Sequence, residues 1–332
     1  MLLPDAMTFA LLIAAAALAV EGVVGYPQWI FRVIGHPVTW IGRVIGWCDA
    51  TLNRPEVSHS WRRVLGILGL FIVLTLTGGV ALAVTHIAIE LPHVIGTGLL
   101  ILVASSLIAQ RGLDRHVVDV AQALETSGVD AGRAAVGQIV GRDTGALDSH
   151  GTSRAAIESL AENYADGVVA PTLWMVLGGL VGGALYKAIN TADSMIGHRN
   201  ERHLAFGWAS ARLDDLANFP AARLAAVFIV CSAFMTRGAS AADAIRAVRS
   251  DARHHASPNA GWPEAAMAGA LGLRLAGPRA YDGVATKDAW MGDGRAEASA
   301  ADIRRAVTIY RRACVIEFVV VATLAAALTL RG

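Results

Sequence analysis

Residues 64–89 contain no Asp, Glu, Lys or Arg. A run of that length crosses the roughly 30 Å hydrocarbon layer of a bilayer as one helix, and no ordinary soluble core needs one so long. Similar apolar runs occupy residues 7–26, 94–109, 167–186, 221–235 and 313–330. The 167–186 run is interrupted by Gly178, Gly179, Gly182 and Gly183, and the 221–235 run is short for a full crossing. Glycine-broken helix at membrane depth is tolerated where protein or a water-filled cavity satisfies the backbone. If the 167–186 run crossed fully, Lys187, Arg199, Arg202 and Arg212 would land outside, against the positive-inside rule. Either that bias is overridden or these two runs are re-entrant or buried, and the second is the expectation. The chain reads as an all-α, polytopic integral membrane protein with a re-entrant or buried polar core, forming a single domain over residues 1–332.

Charge sets the orientation. The segment 27–63 carries Arg32, Arg43, Arg54, Arg62 and Arg63, whereas the N-terminus and the 90–93 turn carry no Lys or Arg. The positive-inside rule predicts cytoplasmic segments at 27–63, 110–166 and 237–312 and a multi-pass protein of the inner cell membrane. The first span lacks a basic n-region and an evident cleavage site, so it reads as a retained helix. A net charge of +1 gives no electrostatic case for nucleic acid. Cys48, Cys231 and Cys314 share no metal-like spacing, which argues against a disulfide framework or a thiolate site.

Outside the spans, Leu113, Val117, Val120, Ala121 and Leu124 repeat with helical period, predicting a helix on the bundle followed by a second after Asp130. A further helix is expected over 241–251, then the turn-rich 257–263, an Ala/Gly helix, and a loop containing Gly283, Gly292 and Gly294.

Polar chemistry gathers between Asp143 and Asn218. The run Gly141-Arg142-Asp143-Thr144-Gly145-Ala146-Leu147-Asp148 sets two carboxylates about a glycine turn, before a helix expected to start at Thr152 or Ser153. Such a loop can hold Mg²⁺ through one or two carboxylates while phosphates and water supply the other ligands. It can equally be an ordinary capping turn. Arg154, Glu158 and Glu162 then recur every four residues along one helix face, with Asn163 and Asp166 beside them. An exposed Arg–Glu pair is worth only about 0.3–0.5 kcal/mol, but this helix runs directly into an apolar span, where charges are costly and mark function. Beyond that span, Lys187, Asn190 and Ser194 share a face with Asp193 adjoining, and Asp214 and Asn218 lie one turn apart with Asp215 alongside. Arg253, His255, Asn259, Trp262 and Glu264 form a polar turn suited to a large planar or phosphorylated ligand. Lone His36 and His86 read as structural residues. No G-x-x-x-x-G-K-[ST], G-x-S-x-G or H-E-x-x-H is present. What remains is the toolkit of Mg²⁺-assisted handling of phosphate or carboxylate groups.

At these residues the sequence resembles the CobD/CbiB family, the adenosylcobinamide-phosphate synthases of cobalamin biosynthesis. The resemblance is carried by GRDTGALD (141–148), SRAAIESLAENYADGVVAPTLW (153–174), YKAINTADSMIGHRNERHLAFGWASARLDDLANFPAARL (186–224), SPNAGWPEAAMAGALG (257–272) and GYPQWIFRVIGHPVTWIGR (25–43). One departure is Tyr26, where the family pattern leads one to expect an acid before the proline. The resemblance implies amide-bond formation between adenosylcobyric acid and (R)-1-aminopropan-2-ol or its O-phosphate, with ATP and Mg²⁺, and other membrane-bound corrinoid enzymes as possible partners.

On that implication, Asp143, Asp148, Asp214, Asp215 and Asn218 are expected at the metal, and Glu158, Glu162 or Asp193 supplies a base. Lys187, Arg199 and Arg212 meet phosphate or corrinoid carboxylates, and Thr144, Arg154, Asn163, Asn190, Ser194, His198, Arg253, His255, Asn259 and Glu264 complete the binding set. Two rival readings are a membrane transferase acting on diphosphates or CDP-alcohols and a non-catalytic transporter or partner. The first would require an A-R…G-x-x-x-D-x-x-x-D run after Asp166-Gly167, which is missing. The second would require a polar pathway through the spans, whereas the charges gather on one side.

Overall fold

The computed structural model describes residues 6–141, 143–277, 279–281, 284–286 and 289–331, and for residues 28, 30, 279–281 and 284–286 the backbone alone. Arg142 of the GRDTGALD run and Gly283 lie outside the described residues. The described structure is 77% helical, and the described strands form two short antiparallel pairs. Among the described residues, six helical stretches are long and apolar enough to cross a membrane. The protein is an all-α, polytopic membrane protein.

The chain divides into two compact units. One comprises Met1–Ala109, Ala170–Asn218 and Val320–Gly332; the other comprises Gln110–Val169 and Phe219–Val319.

In the first unit, α1 (Ala6–Val23), α4 (His59–Glu90), α5 (His93–Ser105) and α9 (Ala170–Ile196) pack on one another, joined by short α2 (Gln28–Ile34) and by α3 (Pro37–Leu52). α3 starts at a capping box: the Nδ1 of His36 accepts from Val38 N–H at 3.2 Å while Thr39 answers the His36 amide, and Pro37 needs no amide partner at that position. The structural reading of His36 is met. Its inward positions Ile41, Ile45 and Cys48 bury against Leu70 and Val73 of α4 and Ala188, Ala192 and Ile196 of α9, around Phe206. Gly66 makes this approach possible, because a Cβ there would lie 1.9 Å from the Phe206 carbonyl oxygen. The glycine break expected in the fourth apolar run falls at Gly178 (φ −132°) and Gly179 (φ +61°, ψ −156°), within α9. An apolar groove of about 480 Å³ lies between α4 and α9, lined by Phe71, Gly78, Leu82, Val181 and Leu185 among others.

In the second unit, α6 (Gln110–Ser127) buries Leu113, Val117, Val120 and Ala121 and packs on α7 (Val129–Val136) and α8 (Ser149–Tyr164). The sequence places the start of α8 at Thr152 or Ser153; the helix starts at Ser149 because Asp148 caps it, its Oδ1 accepting from Gly151 N–H at 2.6 Å. A π-helical turn, Ala165–Val169, follows directly after α8. α11 (Ala241–Ser250) packs on α12 (Gly261–Leu271), closely enough that a Cβ on Gly269 would lie 2.4 Å from the Asp243 carbonyl oxygen. The Gly292 and Gly294 loop contains the pairs β1 (Leu275–Ala276) with β4 (Trp290–Met291) and β2 (Arg279–Tyr281) with β3 (Val284–Thr286).

Two helices extend further than their apolar runs. α10 (Trp208–Phe234) begins well before residue 221, and α13 (Ala300–Thr329) before residue 313. Hydropathy marks only the apolar part of such a helix; its polar first turns are invisible to a span count.

Candidate functional site

The first unit brings together the residues of the 186–218 block. Asn190 and Asp193 stand near the C-terminal end of α9, and Asp214, Asp215 and Asn218 near the start of α10. Asp214 is buried at 9% exposure and accepts from two amides: Asn218 Nδ2 to its Oδ2 at 3.0 Å, and Asn190 Nδ2 to its Oδ1 at 3.4 Å. Tyr186 completes the chain, its hydroxyl donating to Asn218 Oδ1 at 2.8 Å. A buried carboxylate is tolerated only when its lone pairs are answered, and here the answering groups fix its orientation. Asp193 and Asp215 both lie within electrostatic range of Asp214. The Asp193 carboxylate lies over Gly197, where a Cβ would meet its Oδ1 at 1.9 Å.

Cations flank this acidic set. Arg212 lies 3.6 Å from Asp215 on the exposed side of α10, and Arg199 also lies within electrostatic range of Asp215. Lys187 acts on His36, whose pKa falls to about 4 through burial first and the lysine charge second. Ser194 donates its hydroxyl back to the Asn190 carbonyl at 2.9 Å, an intrahelical bond. His198 and Arg199 are exposed on the 197–207 connection.

That connection is tied down by residues the sequence does not single out. Asp49 Oδ2 accepts from Arg202 Nη2 at 2.6 Å, and Asn53 Nδ2 donates to Asp49 Oδ1 at 2.7 Å and to the Arg202 carbonyl at 3.1 Å. Arg62 donates to Asn53 Oδ1 at 2.9 Å and to the Arg202 carbonyl. Burial pushes the Asp49 carboxyl up, but the bonds from Asn53 and Arg202 and the charges of Arg202 and His203 outweigh it and leave it below the ordinary carboxylate range. Asp49 and Arg202 are 153 positions apart, so no local spacing in one sequence reveals the pair. Tyr186 could have been found, one turn before Asn190 on the face already identified.

The second unit holds the other predicted residues in two places. Asp143 and Asp148 are both committed locally, the former accepting from Gly145 N–H at 2.8 Å and the latter capping α8. Thr144 donates to the Arg133 carbonyl at 3.2 Å, which docks the loop on α7. Along α8 the expected ladder splits by environment. Arg154 donates to the Ala296 carbonyl and lies over the Trp290 ring at 5.8 Å; Glu158 is buried and accepts from Ala276 N–H at 2.9 Å; Glu162 is exposed. Asn163 donates to the Ser159 carbonyl at 2.9 Å. Ala276 has φ of +56°, a left-handed conformation uncommon for alanine, and Glu158 holds its amide.

The turn before α12 is the second place. Ser257 Oγ accepts from the amides of Asn259 and Ala260 at 3.2 Å each, and a Cβ on Gly261 would lie 2.3 Å from the Ala252 carbonyl oxygen. His255 Nδ1 accepts from Ser257 N–H at 3.0 Å, which turns its Nε2 towards buried Glu264 at 3.7 Å. Arg223, which spacing does not single out, lies over Phe219 and Trp262 at 3.5 and 4.4 Å and donates to Asn259 Oδ1 at 3.0 Å. Arg253 is exposed beside this turn. Buried Glu317, accepting from Tyr164 at 3.2 Å, is likewise unmarked by any motif.

Among the described residues, no three or more His, Cys, Asp or Glu side chains form a ready-made metal cage. Mg²⁺ carried by a nucleotide needs only one or two protein carboxylates, with phosphates and water filling the shell. Asp214 and Asp215 are the carboxylates that would hold an ion of that open kind, and they form no structural metal cage.

A sequence model described as "CobD/Cbib protein" matches residues 14–310. The chain belongs to the CobD/CbiB family. It is 48% identical to the cobalamin biosynthesis protein CobD of Rhizobium meliloti (strain 1021), over 92% of this chain and 93% of the relative. It is 44% identical to that of Rhodobacter capsulatus over 92% of this chain and 94% of the relative. It is 43% identical to that of Brucella suis biovar 1 (strain 1330) over 92% and 93%. No solved structure matches the chain. As a CobD/CbiB protein it acts in cobalamin biosynthesis.

Proposed function

We propose that this chain catalyses ATP-dependent amide-bond formation, joining a side-chain carboxylate of adenosylcobyric acid to (R)-1-aminopropan-2-ol or its O-phosphate. The observation that carries the reading is the buried Asp214, oriented by Asn190 and Asn218 and flanked by Asp193 and Asp215, with Arg199 and Arg212 beside them. Acids held close together at the edge of a span, with cations next to them, match a metal–phosphate complex rather than a neutral ligand.

ATP with Mg²⁺, when bound, supplies the leaving group that turns an unreactive carboxylate into an acylating agent. Asp214 and Asp215 would hold the metal side of the nucleotide, and Asn190 and Asn218 keep Asp214 in its orientation. Arg199, Arg212 and Lys187 would offset negative charge on phosphate and corrinoid carboxylates. The amine nitrogen forms the C–N bond as the activated oxygen departs, and the amine proton passes to a carboxylate base. Asp193 is the candidate for that proton in the first unit. Exposed Glu162 is the candidate in the second, since Glu158 already accepts the Ala276 amide. By the distribution of Arg between the spans, we place the site on the cytoplasmic side of the inner membrane.

Purified protein supplied with adenosylcobyric acid, the amino alcohol or its phosphate, and ATP should form the corrinoid amide with stoichiometric nucleotide cleavage. Undiminished amide formation by both Asp215→Asn and Glu162→Gln would sink the residue assignment. No amide product from the wild type would sink the reaction.

A further inference from the structure

The surface formed by α2 and the outward face of α3 has no role in the chemistry above, and its composition is unusual. Between Glu21 and Asp49 the chain carries Arg32 and Arg43 and no acidic residue. In the same stretch Trp29, Phe31, Val33, Ile34, Trp40 and Trp47 are exposed, with Val33 at 77% and Trp29 at 70%. On α3 the division is by helix face. Ile41, Ile45 and Cys48 point into the core, and Trp40, Arg43 and Trp47 point outward at complementary spacing.

Position decides what covers this surface. The candidate span of α1 ends at Val23. Three residues later the Tyr26 hydroxyl donates to the Gly35 carbonyl at 2.8 Å, and the Tyr26 ring packs edge-on against His36 at 4.4 Å. The Tyr26 side chain thus reaches along α2 and ties its far end to the residue just after the span, which holds the whole of α2 (about 10 Å long) near the end of the span. Trp40 Nε1 then donates to the Ile34 carbonyl at 2.9 Å and fixes the corner between α2 and α3. Water would leave an exposed apolar patch, and bare hydrocarbon would reject the arginines. Trp and Arg side by side without carboxylates suit the headgroup layer.

We infer that α2 and the outward face of α3 form an interfacial anchor that seats on anionic phospholipid, with Arg32 and Arg43 on headgroup phosphates and Trp29, Phe31, Val33 and Trp40 at the headgroup–acyl boundary. The anchor fixes where the α3–α4 connection sits against the membrane surface.

The test uses the full chain in lipid nanodiscs. With Cys231 replaced by Ala, Val33→Cys carries a nitroxide, and its collisions with oxygen and with a water-soluble nickel chelate are compared. The expected result is oxygen access with nickel exclusion. Nickel access, meaning open water, overturns the inference; so does exclusion of both reagents with a doubled particle mass, meaning a second copy covers the face. In parallel, phosphatidylglycerol retained by the purified protein over phosphatidylcholine is measured by mass spectrometry. The double variant Arg32→Gln/Arg43→Gln should lose that enrichment several-fold, and Arg32→Lys/Arg43→Lys should keep it. Equal enrichment in the Gln variant and the wild type, or its loss in the Lys variant, overturns the headgroup assignment.

Discussion

Asn218 donates its side-chain amide to Asp214 Oδ2 at 3.0 Å, one turn earlier on the same helix. The bond makes a local i, i+4 pair into the centre of a longer chain, because Tyr186 and Asn190 of α9 bond to the same two residues.

Asp214→Asn tests the charge at that centre. The substitution keeps the shape, removes the carboxylate, and turns one acceptor into a donor facing an amide of Asn190 or Asn218. Loss of one preorganised electrostatic contact at a reacting centre costs about 10²–10³-fold in kcat, and amide formation should fall by that order while helix content by circular dichroism stays unchanged. Turnover equal to the wild type would remove Asp214 from the site.

Tyr186→Phe tests the support behind it. The variant leaves buried Asn218 Oδ1 without its hydroxyl donor, and a lost buried hydrogen bond costs about 1 kcal/mol, at the upper part of the range for bonds between membrane helices. The melting temperature should drop by a few degrees. In a double-mutant cycle with Asp214→Asn the activity losses should be less than additive, since both act on one orientation. Strict additivity would show that Tyr186 is unconnected to Asp214.

The apolar spans, the period of α6, the break at Gly178 and Gly179, and the clustering of acids near Asn218 were all legible in the sequence, because each follows from neighbours within a few positions. The helical face shared by Lys187, Asn190 and Ser194 was legible too, but the three residues diverge in structure. Asn190 turns to Asp214, Ser194 bonds back to its own helix, and Lys187 acts on His36. Asp148 shows the ambiguity of short motifs: as an acid before a helix it is a ligand candidate and a cap alike, and the structure gives it the cap. The Asp49–Arg202 and Arg223–Trp262 contacts depend on chain segments meeting in three dimensions, and periodicity carries no information about that.

Arg62→Met tests whether the 197–207 connection depends on its clamp. The variant removes the donors to Asn53 Oδ1 and to the Arg202 carbonyl, and a buried or half-buried acceptor left unanswered costs about 1–3 kcal/mol. Trypsin should then cut at Arg199 or Arg202 several-fold faster than in the wild type. The apparent KM for the phosphate or carboxylate substrate should rise more than kcat falls, and Arg62→Lys should recover part of both effects. An unchanged cleavage rate would mean that Asp49 and Asn53 hold the connection alone.

His36 gives the fold a pH dependence whose sign can be worked out. Its ordinary pKa of 6.5 is lowered to about 4 in the folded chain, through burial first and the charge of Lys187 second. Between those two values the unfolded chain binds a proton that the folded chain refuses, so stability falls as pH drops through that window. Protonation also has a structural consequence: Nδ1 accepts the Val38 amide at 3.2 Å, and a proton there would destroy the cap of α3. Asn is as good an N-cap acceptor as any side chain and does not titrate. His36→Asn should therefore match the wild type near neutral pH and lose less stability towards pH 4. The difference between the two melting curves isolates His36, because the depressed carboxyl of Asp49 contributes equally to both and is lost only as pH falls through its own lowered pKa. Parallel curves for wild type and variant across that window would mean that His36 stays neutral in the unfolded chain as well, or titrates in the folded chain as it does in water.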